Sequence, residues 1–209
     1  MAKRTLSKTL DTQTEIRGGR RQDLREKMLA VAAAKFADKG YESVSMRSIA
    51  SLCGTTPAAF YYHFSSKAEL YREALAYVFE QRVTPFFQIV ESDRPPTERL
   101  CALFRWYAHL IADDREFARL LHREMLDGDE ARIAYIARRA FKQPFRRAVE
   151  LVATIKPGID AERMALSAFC IVLGHFEFES VQQHIFGGKY VAATPDEVGM
   201  HAARTILAV

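Results

Sequence analysis

Tyr61, Tyr62 and His63 place three rings with polar tips side by side, a few residues before Lys67. Two alanines precede the rings and would let a backbone approach a bulky partner closely. In a helix that reads DNA, the N-terminal residues meet base edges, while hydroxyls and flanking basic groups meet phosphates. The order of residue types in this stretch therefore indicates contact with a nucleic acid.

The neighbouring residues predict two short helices joined by a tight turn. Ser45 can cap the first helix with its hydroxyl, and Gly54 ends it, because glycine enters the left-handed conformation without a steric cost. Thr56 and Pro57 are then typical of the N-cap and first residue of a second helix over about 57–63. The pattern is that of a helix-turn-helix.

The helix that follows predicts a further contact with an anion. Ser66 and Glu69 form a capping box, which places Lys67 in the first turn of that helix. A cation is unfavourable at a helix N-terminus unless an anion lies beside it, and a DNA phosphate is such an anion. Lys67 is therefore predicted to bind phosphate.

The segment from about Gln22 to Tyr71 resembles the DNA-binding domain of the TetR family of transcriptional regulators. The residues that carry the resemblance are Phe36, Gly40, Tyr41, Val44, Ile49, Ala50, Gly54, Phe60, Tyr61, His63, Phe64, Lys67 and Leu70. The resemblance implies a homodimer that binds a palindromic operator and releases it when a small molecule enters the C-terminal domain. It therefore implies a ligand-responsive repressor.

The resemblance also assigns roles to individual residues. It implies DNA contact for Arg47, Thr55, Thr56, Ala58, Ala59, Tyr61, Tyr62, His63 and Lys67. The alanine methyl groups would contact thymine, while the tyrosines, the histidine and the lysine would hold phosphates. Phe60 and Phe64 are predicted to be core aromatics. Because few donors stand at the start of the second helix, base reading is predicted to depend on methyl contacts, Arg47 and Thr56.

Charge is unevenly distributed along the 209 residues, whose formal net charge is +4. Residues 1–72 hold 13 Lys and Arg against 7 Asp and Glu, whereas residues 73–209 hold 17 against 19. A basic end on a slightly acidic body is typical of a protein that meets phosphate with one end. A solvated charged face would give the same asymmetry, so the helix-turn-helix decides between the two interpretations.

Several functional classes are not supported by the sequence. Cys53, Cys101 and Cys170 show no pairing or zinc-site spacing, which suits a reducing cytoplasm. The longest uncharged apolar run, Met164–Phe176, has 13 residues, whereas a membrane span needs about 20. No phosphate-binding loop, nucleophile elbow or dinucleotide fingerprint is present, so we expect neither an enzyme nor a cofactor.

Helical periodicity without strand alternation predicts an all-α chain. We expect a flexible basic arm over 1–20, a three-helix DNA-binding domain over 21–68 and a helical regulatory and dimerisation domain over 69–209. The arm either reaches a minor groove or touches nothing specific. The predicted helices cover about 22–39, 66–82 or beyond with a kink or restart at Pro85, 97–112 capped by Thr97, 114–128, 129–155 kinked at Pro144, 160–186, and one opening at Thr194–Glu197.

The last two helices, about 160–186 and 194–208, carry the predicted dimer contact. The stretch Met164–Phe176 is apolar on every side, and a helix without a polar face must be covered on every side. A second copy of the chain is the expected cover. The two helices also resemble the pair that forms the dimer interface of TetR-type proteins.

Aromatic residues and two histidines of the second domain are candidates for an effector pocket. They are Phe104, Tyr107, Phe117, His122, Phe141, Phe169, His175 and Phe176. Rings at helical spacing are equally typical of a filled core, and periodicity does not separate the two. The resemblance implies that some pocket exists, and its effector is expected to be small and hydrophobic or aromatic.

Two alternatives remain open from the sequence. His175 and Glu179 stand one helical turn apart, which suits either a metal or base site or, better, a hydrogen-bonded structural pair. The whole chain could also be a DNA-binding regulator that a protein partner controls, or one that responds to no ligand. Neither alternative changes the prediction of DNA binding.

Overall fold

The computed structural model describes residues 22–127, 129–187 and 192–208. Within these ranges the regular structure is helical throughout, so the all-α prediction is confirmed. The chain divides into two compact units, one ending at Tyr77 and the other beginning at Val78. This division comes later than the expected boundary between residues 68 and 69. The predicted arm over 1–20 and the predicted helix end at Gly128 lie outside the described residues.

The first unit is built around a small helical core. Its helices are α1 (22–39), α2 (Met46–Leu52), α3 (Pro57–His63) and the beginning of α4 (Lys67–Val90). Large side chains with no or almost no exposed surface fill the centre: Met28, Phe36, Ile49, Phe60, Phe64, Leu70 and Tyr71. The rings of Phe36 and Tyr71 meet edge to face, with centroids 4.7 Å apart. This core holds the short helices α2 and α3 in place.

The second unit contains the remaining helices. They are α5 (Pro96–Asp113), α6 (Arg115–Asp127), α7 (Glu130–Ile136), a π-helical turn (Ala137–Phe141), α8 (Lys142–Ile155), α9 (Ala161–Glu177), α10 (Glu179–Phe186) and α11 (Pro195–Leu207). Helix α5 packs against α6, α8, α9 and α11, and α9 packs against α8 and α11. Asp114, Asp129 and Asp160 each accept a backbone N–H of the helix that follows, and Thr194 and Glu197 form the predicted capping box.

Two predicted helix boundaries are wrong. Of the kink or restart expected at Pro85, the restart is wrong, because helix α4 continues through this proline. Helix α5 begins at Pro96 rather than at a cap on Thr97, because Pro95 is extended and Pro96 already has the fixed φ of a first helical residue. Thr97 is therefore the second residue of α5.

The predicted helix over 129–155 is interrupted by a π-helical turn. Within this turn the N–H of Lys142 donates to the carbonyl of Ala137, five residues earlier. Pro144 has no N–H, and its ring would clash with the carbonyl four residues before it in a regular α-helix. The wider turn just before Pro144 relieves that clash. It also carries Phe141 at its end.

The predicted single helix over 160–186 is also wrong, because it breaks at Phe178. Helices α9 and α10 meet there at an angle of 58°. Among the described residues, no single helix is both long enough and apolar enough to cross a membrane, and α9 and α10 meet these requirements only together across their bend. His175 and Glu179 lie on opposite sides of this break. They are therefore not successive turns of one helix.

Candidate nucleic-acid interface

The turn between α2 and α3 has the geometry that its residues predicted. Gly54 has a φ of +70°, the left-handed region, with free space around the position of a Cβ. The backbone conformation rather than crowding therefore requires glycine. The Thr55 N–H donates to the carbonyl of Ala50 at 3.0 Å, and the Thr56 hydroxyl accepts the N–H of Ala59 at 3.2 Å. The predicted cap at Thr56 is confirmed.

Helix α2 directs Arg47 into solvent. Ser45 and Ser48 cap its N-terminus reciprocally, each hydroxyl accepting the other residue's N–H. Met46 and Ile49 are buried, which leaves Arg47 on the exposed side. Within the described ranges Arg47 has no ion-pair partner. Its guanidinium is available for a phosphate or a base edge.

Helix α3 exposes the residues that the sequence singled out. Phe60 is fully buried and its ring lies 5.6 Å from that of Phe64, which anchors one side of the helix. The opposite side carries Ala58 and Ala59, both exposed. Tyr62 is exposed over 75% of its surface. Its ring and hydroxyl are therefore available for contact with a partner.

The remaining ring residues of α3 lie beside Tyr62. Tyr61 is 53% exposed, and the half-buried His63 meets the ring of Tyr62 edge to face at 5.5 Å. Neither tyrosine hydroxyl has a hydrogen-bond partner among the described residues. Both hydroxyls are therefore available to donate to a phosphate.

The N-termini of α2 and α3 lack the acidic residues found elsewhere in the chain. Neither helix has an acidic residue in its first turn; α8, which continues from the π-helical turn, lacks one too, whereas α4, α5, α6, α7, α9, α10 and α11 each have one or two. Acidic side chains stabilise this end of a helix by interacting with its dipole. Their absence leaves the positive ends of both helices to an external anion.

Lys67 has contacts within the protein that the sequence did not indicate. Its ammonium group donates to the carbonyl of Glu42 at 3.1 Å and lies 4.3 Å from the centre of the Tyr41 ring. These partners lie about 25 residues earlier in the chain, so no local pattern predicts the contact. Lys67 therefore ties the start of α4 to the loop after α1, and its contact with phosphate stays a prediction.

The predicted capping box of α4 is only half formed. Ser66 accepts the N–H of Glu69 at 3.1 Å, as expected. The carboxylate of Glu69 instead accepts the N–H of Ser65 at 2.8 Å and the hydroxyl of Ser65. These hydrogen bonds from Ser65 lower the pKa of Glu69. The Glu69 carboxylate therefore bonds to Ser65, the residue before the predicted N-cap Ser66.

Two basic residues of α1 contact the helix-turn-helix and stabilise its position. The guanidinium of Arg25 lies 5.2 Å from the centre of the Phe64 ring and pairs with Glu73 at 3.2 Å. The ammonium group of Lys27 donates to the carbonyl of Cys53 at 3.5 Å. Burial raises the pKa of the Cys53 thiol, which stays protonated in the core. Sequence periodicity alone gave no signal for these contacts, because they join helices.

If Lys67 binds phosphate as predicted, Lys67→Ala should weaken binding to all duplex sequences alike and reduce the salt slope of DNA binding by about one unit. The measurement is fluorescence anisotropy of a labelled duplex over a range of salt concentrations. Lys67→Arg is the matched control and should retain the slope. Since Lys67 also contacts Glu42 and Tyr41, Lys67→Ala should lower the melting temperature as well. A lower melting temperature with an unchanged salt slope would show that Lys67 stabilises the fold and does not contact phosphate.

The second unit contains an apolar cavity of about 210 Å³. Its aromatic lining consists of Phe86, Trp106, Tyr107, Phe117, Phe141, Phe145 and Phe169. Its aliphatic lining consists of Val83, Leu110, Leu121, Pro144, Leu166 and Leu173. Ligand pockets in proteins typically have such apolar walls with a few polar groups.

The structure brings half of the predicted pocket residues to this cavity. Tyr107, Phe117, Phe141 and Phe169 line it. Phe104 does not, because it is fully buried in the core against the ring of Phe169, with centroids 5.2 Å apart.

The other three candidates lie at smaller depressions. His122 pairs with Glu177 at 2.9 Å, where α6 meets α9. His175 and Phe176 lie beside Glu179 near the start of α11, and the ring of His175 meets that of His201 at 5.9 Å. A helical pattern gives the sequence positions that point inward, but not which inward positions border empty space.

Sequence reasoning missed several lining residues, among them Trp106 and Phe145. Trp106 directly precedes Tyr107, and adjacent residues on a helix do not share a face by simple periodicity. Phe145 comes one residue after Pro144, where the preceding π-helical turn changes which residues face inward. The π-helical turn had no sequence signal beyond the proline itself.

Tyr107 is a lining residue of this cavity that carries a hydroxyl. Burial raises the pKa of its phenol, and the nearby Cys170 thiol adds to the shift. The phenol is therefore neutral and keeps its proton. The side chain is half-buried and lines the cavity. No group of three or more His, Cys, Asp or Glu side chains in the described part of the chain is arranged to hold a metal ion.

Comparison with known proteins identifies the first unit. Residues 28–74 match the model of bacterial regulatory proteins of the tetR family. The transcriptional repressor KstR2 of Mycobacterium tuberculosis is 36% identical over 80 residues, which are 38% of this chain and 40% of KstR2. The chain thus spans about two fifths of that relative's length.

Solved structures with a similar fold cover both units of this chain. A protein from Saccharomonospora viridis in complex with choline has a TM-score of 0.70 at 20% identity, covering 89% of this chain and 96% of that one. AibR in complex with isovaleryl coenzyme A and operator DNA has a TM-score of 0.59 at 22% identity, covering 87% and 97%. The helix-turn-helix geometry and the match over residues 28–74 show that the first unit is a domain of the tetR family of bacterial regulatory proteins, and the solved structures show that the chain shares their fold.

Proposed function

We propose that this chain is a cytoplasmic transcriptional repressor that binds a palindromic operator through α3 and releases it when a small molecule occupies the cavity. The observation that carries the proposal is the exposed face of α3, with Tyr62 75% exposed and no acidic residue in the first turn. Two comparisons support the proposal. The relative KstR2 is named a transcriptional repressor, and AibR, which shares the fold, has been solved in complex with operator DNA.

The contacts with DNA divide into two kinds. Arg47, Tyr61, Tyr62, His63 and Lys67 hold phosphates, and Arg47 also reaches base edges. The start of α3 presents Thr56, Ala58 and Ala59 to the major groove, where methyl groups contact thymine. Thr55 is half-buried beside the turn and contributes less surface. Specificity is therefore expected to depend more on thymine methyl groups than on a dense set of donors.

A homodimer is part of the proposal, because two α3 helices must reach half-sites about 34 Å apart on the operator. The proposed contact surface consists of α9, α10 and the outer face of α11. Exposed apolar side chains lie on α9, at the break after it and on α10: Leu166, which also lines the cavity, over 54%, Phe178 over 59%, Val181 over 45% and Ile185 over 67% of their surfaces. Such a patch on one molecule favours burial against a second copy.

Ile185→Asp should convert the dimer to a monomer, because a carboxylate would be buried without a partner charge. Size-exclusion chromatography with light scattering measures the oligomeric state. Ala153→Asp is the control, since Ala153 is exposed on α8, outside the proposed surface. A dimer that persists in Ile185→Asp would place the contact elsewhere.

Release by a ligand requires a difference in affinity between two conformations of the repressor. A ligand that binds the released conformation more tightly shifts the population away from the operator-bound one. Helix α4 is the proposed element of this change. It contributes Val83 and Phe86 to the cavity, and the same continuous helix begins at Lys67 beside the predicted phosphate contacts.

The function is tested in two steps. Operator sequences are first selected from a pool of random duplexes by repeated binding to the protein, and a palindromic consensus is expected. Small molecules that raise the melting temperature are then tested for release of the selected operator. Selection without any consensus would contradict sequence-specific regulation. Stabilising ligands that leave operator binding unchanged would favour the alternative, a regulator controlled by a protein partner or by no ligand.

A further inference from the structure

The walls of the cavity in the second unit contain no charged side chain within the described residues. The polar groups that they do contain are the phenol of Tyr107 and the indole N–H of Trp106. Neither side chain has a hydrogen-bond partner in the described part of the chain. An indole N–H only donates, and a neutral phenol donates one hydrogen bond. Two lining side chains therefore carry donors in an otherwise apolar space.

An ionised ligand group would be poorly accommodated here. Burying a carboxylate or ammonium group without a partner charge costs far more than burying a neutral polar group. A neutral group with an acceptor oxygen, by contrast, would satisfy a donor that is otherwise unpaired.

The size of the cavity limits the ligand further. An engineered apolar cavity of about 150 Å³ binds benzene. By proportion, a cavity of about 210 Å³ holds roughly eight to ten non-hydrogen atoms. Seven of the lining side chains are aromatic, so a planar ring has rings to pack against.

From these observations we infer that the cavity binds an uncharged, largely apolar group of about eight to ten non-hydrogen atoms with one hydrogen-bond acceptor, which the Tyr107 hydroxyl engages. The inference rests on the proposed function, in which this cavity is the effector site. It narrows the effector to neutral ketones, esters, lactones or ethers with an apolar body. Carboxylates and amines of equal size are excluded from the cavity.

Three probes of similar shape and equal numbers of non-hydrogen atoms test the effects of charge and of an acceptor oxygen on binding. They are acetophenone, benzoate and isopropylbenzene. Each is added to the full-length protein without DNA. Trp106 is the single tryptophan of the chain and lines the cavity, so its fluorescence reports occupancy directly. Thermal denaturation provides a second readout. We expect acetophenone and isopropylbenzene to change the fluorescence and raise the melting temperature, and benzoate to do neither.

The variant Tyr107→Phe removes the hydroxyl and keeps the ring. It should weaken acetophenone binding by about five- to tenfold and leave isopropylbenzene binding unchanged. Leu110→Phe, which fills part of the same cavity, should weaken both and confirms where they bind.

Each other result overturns part or all of the inference. Benzoate binding as tight as that of acetophenone would overturn the exclusion of charge, and this comparison needs only the unaltered protein. Equal effects of Tyr107→Phe on acetophenone and isopropylbenzene would overturn the role of the hydroxyl. No binding of any probe at millimolar concentration would overturn the ligand class. None of these outcomes bears on operator binding, which is measured separately.

Discussion

Ala59→Glu is expected to leave the protein folded and slightly more stable while lowering operator affinity by about a hundredfold or more. Ala59 is exposed at the third residue of α3, three positions after the cap at Thr56. A glutamate there completes a capping box and interacts favourably with the helix dipole, which adds about 0.5 to 1 kcal/mol of stability. The same carboxylate would face DNA phosphates, and such like-charge contacts cost several kcal/mol.

Thermal denaturation and fluorescence anisotropy with the selected operator measure the two effects separately. Ala153→Glu is the matched control, because it makes the same change of charge at an exposed site of α8. It should lower operator affinity only slightly. If the two variants bound the operator equally well, α3 would not be the element that contacts DNA.

Gly199→Ala is expected to destabilise the protein by about 2 to 3 kcal/mol, the upper part of the range for overpacking a core. A Cβ at Gly199 would lie 2.6 Å from both the Cα of Arg105 and the carbonyl oxygen of Phe104. The backbones of α11 and α5 therefore touch at this point, and backbone atoms cannot rotate away as a flexible side chain does. The melting temperature should fall by about 4 to 12 °C for a chain of this size.

Gly174→Ala is the control for this variant. Gly174 lies within α9, and a Cβ there would have no neighbour within 4 Å. Because alanine favours a helix over glycine by about 1 kcal/mol, this substitution should stabilise the protein. Opposite signs for the two glycines would show that contact between helices, rather than helix propensity, dominates at Gly199. A stabilising Gly199→Ala would mean that α5 and α11 are not in close contact.

Because Gly199 lies opposite residues 104 and 105, its contact also bears on the cavity. Trp106 and Tyr107 follow directly on the same helix and line the cavity. Displacement of α5 by an added Cβ should therefore weaken ligand binding as well as stability. Gly174→Ala should leave ligand binding unchanged.

The helix-turn-helix was predictable in detail because its signals are local. The caps at Ser45 and Thr56 depend on hydrogen bonds to residues three positions later. The left-handed turn at Gly54 depends on the freedom of a single residue. Interactions over such short separations are encoded in neighbouring residues, so reading them requires no knowledge of the remaining fold. Burial of Phe60 against Phe64, as predicted, follows from the same local register.

Pro85 and Pro144, two prolines that stand within helices of the second unit, show the limit of local rules. Proline opposes a regular helix at both positions in the same way, yet α4 continues through Pro85 whereas a π-helical turn precedes Pro144. Local preference amounts to a few kcal/mol, and packing of the surrounding helices can outweigh or redirect it. The break at Phe178 had no sequence signal, since neither glycine nor proline stands there.

For this protein, residue types and short spacings determined the helical class, the helix-turn-helix and the exposed residues of α3. The tertiary structure alone decided that Lys67 contacts Glu42 and Tyr41, and that Trp106 and Phe145 rather than Phe104 line a cavity. Helical periodicity specifies which side of a helix points inward. Whether that side meets another side chain or an empty space depends on helices distant in sequence, and therefore on how the whole unit packs.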